Sequence, residues 1–138
     1  MKATANGRAL PPRPYLMVGD EVACRKEWWR LRGDSARFLL DEGYHEGGPE
    51  QQAADPWTDD DRDALVWRLR SIRESLVSIG AVDGTPYQRV FCCEVYEASA
   101  DVCACARNYP ELLKCMQALV AQLHPSLAAA PAGATHKH

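Results

Sequence analysis

Five of the chain's six cysteines fall in one stretch, FCCEVYEASADVCACARNYPELLKC, residues 91–115. Thiolates grip soft metal ions and attack electrophilic carbon, so the first question is whether these groups bind, react or pack. A tetrahedral zinc ion draws its ligands from turns, as in CxxC followed by CxxC or HxxxH, because two thiolates must converge at about 2.3 Å. The spacing here is Cys92-Cys93, then Cys103-x-Cys105, then Cys115. At about 100° per residue, Cys103 and Cys105 point about 200° apart on a helix. Cys92 and Cys103 share a face but stand three turns apart. The spacing therefore predicts that Cys92, Cys93, Cys103, Cys105 and Cys115 bind no metal, and a reducing compartment adds the expectation that they form no intrachain disulfide and pack as small apolar residues. A nucleophilic thiol also needs a base. His45, His124, His136 and His138 fall in a loop, at a helix end and in the tail, and His124 reads as a charge favouring the C-terminal end of its helix.

Other chemical signatures are missing. GxGxxG, GxxxxGK[ST], HExxH and GxSxG do not occur. Glu94 and Glu97 lie three apart on a predicted helix, an ordinary surface spacing rather than an acid–base pair. No catalytic, cofactor-binding or metal-ligating residue is assigned, no cofactor or small-molecule substrate is expected, and the chain does not read as an enzyme.

Composition agrees with a folded interaction module. A chain of 138 residues, 46% hydrophobic and 25% charged, has the make-up of one globular domain. A formal charge of -3 gives no overall attraction to phosphate or anionic lipid. There is no apolar run of about 18 residues to span a membrane, and MKATANGRALPPRPYLM lacks the apolar core of a secretory signal. The expectation is an intracellular protein, nuclear or cytoplasmic, with reduced thiols; the acid-free start MKATANGRALPP leaves an organelle as the alternative.

The elements that must position these residues are all helical. Residues 1–19 read as an extended arm, 20–127 as the helical domain, and 128–138 as a disordered tail. From Asp20 to Leu40 the apolar residues Val22, Trp28, Trp29, Leu31, Phe38, Leu39 and Leu40 predict two short helices, broken at RGDS, residues 32–35, with Asp34 or Ser35 as cap. That tetrapeptide resembles an adhesion motif, but without a secretory signal it reads as a helix break. Residues 41–57, rich in glycine, proline and polar groups, read as a surface loop.

Thr58 and Asp61 then open a helix whose stripe is Leu65, Leu69, Ile72, Leu76 and Ile79, with Gly80 as its left-handed stop. A second runs from Tyr87 to Arg107 with Phe91, Val95, Ala98, Val102 and Cys105 inward; Ala100, Ala104 and Ala106 let a neighbour come close. A third is capped by Asn108, with Glu111 as returning capping-box partner, carries Leu112, Met116, Leu119 and Leu123, and is closed by Pro125. The common period of Leu69, Ile72, Leu76, Val95, Val102, Leu112, Met116 and Leu119 predicts one core between three antiparallel helices.

Two groups of residues stand apart as contacts. Arg62, Arg68, Arg70, Arg73 and Glu74 lie opposite the buried stripe, as a solvated face or an RNA or partner contact. Trp28 and Trp29, about 100° apart on a helix, cannot easily both face one small core, so one is expected to anchor a partner. The candidate partner-binding residues are Trp28, Trp29, Arg70, Arg73, Glu94 and Glu97.

The run LRSIRESL, then EVYEASAD, then NYPELLKC resembles the Sac-three/GANP family of PCI-related helical proteins, nearest the branch that includes leukocyte receptor cluster member eight. The resemblance rests on Ser71-Ile72-Arg73, on Glu94-Val95-Tyr96-Glu97, and on Asn108 through Cys115, and covers about half of the chain. It implies an all-α fold of PCI-like antiparallel hairpins and a non-catalytic scaffold subunit of nuclear complexes for mRNA processing and export. Such relatives continue into a winged helix, whereas this chain passes soon after Leu127 into alanine, proline and histidine, so a truncated member is expected. The alternatives are an RNA-contacting subunit of a ribonucleoprotein assembly, organellar or not, and a subunit of proteasome-lid type.

Overall fold

Four N-cap residues, two of them in capping boxes, decide where the long helices begin. Asp20 accepts the Ala23 N–H at 3.0 Å and starts α1, Glu21–Glu42. Thr58 and Asp61 exchange hydrogen bonds as a capping box ahead of α2, Asp59–Ser78. Thr85 and Gln88 do the same for α3, Pro86–Cys105, and Asn108 accepts the Glu111 N–H at 3.2 Å to start α4, Tyr109–Ala118. A short 3-10 turn, Ala81–Asp83, follows α2, and a π turn, Leu119–Leu123, leads from α4 into α5, His124–Ala129. This computed structural model describes residues 19–43 and 57–129; the expected N-terminal arm up to residue 18, most of the expected loop and the tail from residue 130 lie outside them.

The all-α class holds, and cross-links give the helix directions. Arg62 with Glu42 and Arg68 with Glu27 set α2 antiparallel to α1, while Gln88 with Glu21 and Trp28 with Glu94 set α3 parallel to α1. His124 with Glu97 and Cys103 with Cys115 run α4 and its continuation back along α3. Among the described residues, no helix is long and apolar enough to cross a membrane.

The break predicted at RGDS does not occur; α1 is one helix of 22 residues. Gly33 and Asp34 cost helix propensity, but Leu31, Ser35 and Phe38 are buried at i, i+4, i+7 spacing and Asp34 reaches Arg68 of α2 at 3.1 Å. Packing along the whole helix outweighs the local penalty. Asp41 and Glu42, expected in the loop, form its last turn, and Trp57 returns to meet Phe38 edge-on at 5.0 Å. A Cβ at Gly33 would meet nothing within 4 Å. Gly33→Ala is therefore expected to raise the unfolding free energy by about 0.5–1 kcal/mol, read by urea titration. A loss of stability would mean that the glycine serves a local distortion rather than merely being tolerated.

The core follows the predicted stripes with one exception. Leu65, Leu69, Ile72, Leu76, Phe91, Val95, Val102, Leu119 and Leu123 are buried, with Ile79, Ala98, Cys105 and Leu112 partly so. Met116 is 43% exposed; Cys115 fills the place assigned to it. Of the three small residues at the end of α3 and its C-cap, Ala100 and Ala106 are buried and Ala104 is exposed.

Two junctions need special backbone. Gly80, at φ 79°, supplies the left-handed residue that ends α2. At the end of α3 the left-handed position falls to Arg107, φ 60°, and the Asn108 N–H closes back on the Cys103 carbonyl at 2.9 Å while Arg107 bonds Ala104 at 3.1 Å. Asn108 thus ends one helix and caps the next. Pro125, expected to close the last helix, sits instead in the first turn of α5. It has no N–H to give, and its ring crowds the carbonyl four residues back. The π turn just before it, in which the His124 N–H bonds Leu119, widens the helix and takes up that conflict.

Candidate functional site

Glu111 shows how far the helices are committed to one another. Its side chain does not return to its own cap. It turns inward, 3% exposed, where Oε1 meets Arg73 Nη2 at 2.7 Å and Oε2 meets Arg70 Nη1 at 3.2 Å and Lys114 Nζ at 3.4 Å. Arg73, assigned to a solvated face, is itself buried, with the Tyr96 ring beside it. Burial pushes the Tyr96 phenol up to about 12. A carboxylate can be held in such a place only because cations surround it.

The other arginines of α2 are also engaged. Arg62 bonds Glu42 and Asp59, each at 2.9 Å, Arg68 bonds Glu27 and Asp34, and Arg70 bonds Glu74 at 3.0 Å. A phosphate would have to displace carboxylates from each of them. Of the six candidate contact residues, Trp28 turns inward and donates Nε1–H to Glu94 at 2.9 Å, and Arg73 lies in the Glu111 network. Glu97 bonds His124 at 2.8 Å. Trp29 points outward, 66% exposed, with the Arg32 guanidinium 4.0 Å from its ring centre. The six do not converge on one surface.

The cysteines are free, and all but Cys105 are buried. Burial, reinforced by neighbouring Cys93, pushes the Cys92 thiol up to about 12. The hydrogen bond between Cys103 and Cys115, with burial behind it, raises Cys103. Burial raises Cys24 and Cys105 as well. The thiols so raised are held protonated and are weak nucleophiles; the same hydrogen bond from Cys103 lowers Cys115 instead.

An outward surface on α4 and the π turn escaped the sequence reading. Tyr109, Leu113, Met116 and Val120 are 44%, 57%, 43% and 60% exposed. At about 100° per residue they fall within about 60° of one another, one apolar stripe along the side away from Glu111 and Cys115. The same helix is therefore apolar on two faces. ELLKCMQALV carries two overlapping apolar patterns, and a single helical period that places Met116 in the core merges them. Compared with models of protein families, with curated proteins and with solved structures, the chain finds no match.

Proposed function

We propose that the chain is a non-catalytic helical interaction subunit of a larger protein complex, docking through the outward stripe of α4. The observation that supports this reading is the run Tyr109, Leu113, Met116 and Val120, all exposed on a helix whose other side is fixed by Glu111 and Cys115. An amphipathic helix that keeps a second apolar face in water presents the repeat that a partner helix packs against. The resemblance to the Sac-three/GANP family extends the reading to nuclear assemblies for mRNA processing and export, with other protein subunits as partners. The RNA alternative draws less support, because Arg62, Arg68, Arg70 and Arg73 already hold carboxylates.

The test is affinity purification of the full chain beside the double variant Leu113→Glu/Val120→Glu and the control Leu40→Glu, which alters an exposed leucine on α1. With helicity unchanged in all three, the stripe variant is expected to retain its protein partners roughly tenfold less or worse, as for loss of interface anchors, and the control to retain them fully. Equal recovery from wild type and stripe variant removes the docking face; recovery that disappears on nuclease treatment favours the RNA reading.

A further inference from the structure

The spacing of the clustered cysteines carries the expectation that none of them, Cys93 included, binds a metal, but the fold brings Cys93 to residues of other kinds. Cys93 and Glu97 stand one turn apart on α3, and His124 arrives from the start of α5. The Cys93 thiol, a Glu97 carboxylate oxygen and a His124 ring nitrogen all lie within 4.8 Å of one another, with Nε2 of His124 2.8 Å from Oε2 of Glu97. Donor atoms around a tetrahedral ion, at bond lengths of about 2.0–2.3 Å, are separated by roughly 3.3–3.6 Å. Inserting an ion requires that the His–Glu hydrogen bond open, that the thiol give up its proton and that the sulfur close in. Cys93 sits at the inner edge of the group, 8% exposed as a residue, while Glu97 and His124 face water, so an ion has an open path and a fourth position for a water molecule.

A second observation concerns how His124 gets there. The π turn Leu119–Leu123 ends at His124, whose N–H bonds the Leu119 carbonyl. One extra residue in a helical turn sets everything after it back by about 100°. In an uninterrupted α-helix, His124 would continue toward the side carrying Val120. The π turn swings it toward α3 and onto Glu97.

We propose that Cys93, Glu97 and His124 form a site for a divalent transition-metal ion, Zn²⁺ by its donor set, that clips the π turn and α5 onto α3. Thiolate and imidazole select borderline-soft ions over Mg²⁺ or Ca²⁺, and the carboxylate completes a three-ligand set. Binding releases the thiol proton as the sulfur–metal bond forms, with no change of oxidation state.

The experiment titrates the reduced full chain with Co²⁺, whose thiolate charge-transfer absorption reports sulfur ligation and whose visible bands report tetrahedral geometry. The wild type is expected to saturate at one equivalent and to lose the signal when Zn²⁺ is added. Cys93→Ser should abolish the charge-transfer band, and Glu97→Gln and His124→Ala should weaken binding roughly tenfold or more, at least as much as loss of an outer-shell partner. Cys105→Ser, outside the group, should bind as the wild type does. Since Glu97 and His124 are exposed, their variants keep the fold and remain informative even if Cys93→Ser unfolds. A wild type without a charge-transfer band, a band that survives in Cys93→Ser, or a His124→Ala chain that binds like the wild type would each overturn the site.

Discussion

Replacing Glu111 with alanine is expected to lower the unfolding free energy by about 3–5 kcal/mol, the range for breaking a buried ion pair from one side. The loss comes less from the missing attraction than from what stays behind. Arg73, 4% exposed, would keep its charge in the interior without the carboxylate 2.7 Å away, and its Nη1 already has no hydrogen-bond partner. The paired change Arg73→Met with Glu111→Leu should cost much less, because no charge then remains to be hydrated and apolar side chains of similar size can fill the space. Urea unfolding of the two single variants and the double variant measures this directly. A loss of no more than about 1 kcal/mol in Glu111→Ala, the range of an exposed pair, would show that water reaches the network.

Leu76→Ala should cost roughly 2–5 kcal/mol, since Leu76 is fully buried in the shared core of α2 and its neighbours and the cavity left behind cannot close completely. Met116→Ala, at a position of the same apolar kind in the sequence, should shift stability by no more than about 0.5 kcal/mol, as surface substitutions usually do. The pair separates burial from hydrophobicity, and both midpoints come from the same urea titration. If the two substitutions cost the same, the division of α4 into an inward and an outward face is wrong.

The contrast between these two residues marks how far the sequence could be read. The second long helix was legible because its signals agree: Thr58 and Asp61 open it, the stripe from Leu65 to Ile79 has a single register, and Gly80 closes it. The first looks divided in the sequence because Gly33 and Asp34 are poor helix formers, and nothing local reveals that Arg68 waits for Asp34 or that Ser35 will be buried. In α4 the apolar residues are numerous enough to support two registers, so periodicity could not choose between Cys115 and Met116.

Long-range chemistry was hidden for a different reason. Arg73 and Glu111 are 38 positions apart, and His124 and Glu97 are 27 apart. A charged residue looks solvent-facing until its partner is known. The π turn that redirects His124 has only Pro125 as a forewarning, and a lone proline marks the end of a helix as readily as a distortion within one.

The shared residue between α3 and α4 also bears on the order in which the chain can assemble. Asn108 closes one helix and opens the next, so almost no chain lies between them, and bringing those two helices together costs close to the least loop-closure entropy that a helical pair can have. The first helix is in the opposite position. It meets its antiparallel neighbour only after the whole stretch from Gly43 to Thr58 has been drawn in, and its other contacts, Glu21 with Gln88 and Trp28 with Glu94, span still longer separations. Contacts between near neighbours repay their ordering early and distant ones late. The C-terminal hairpin is thus the part of the molecule that the chain's connectivity favours as a nucleus, with α1 joining through the longest sequence separations.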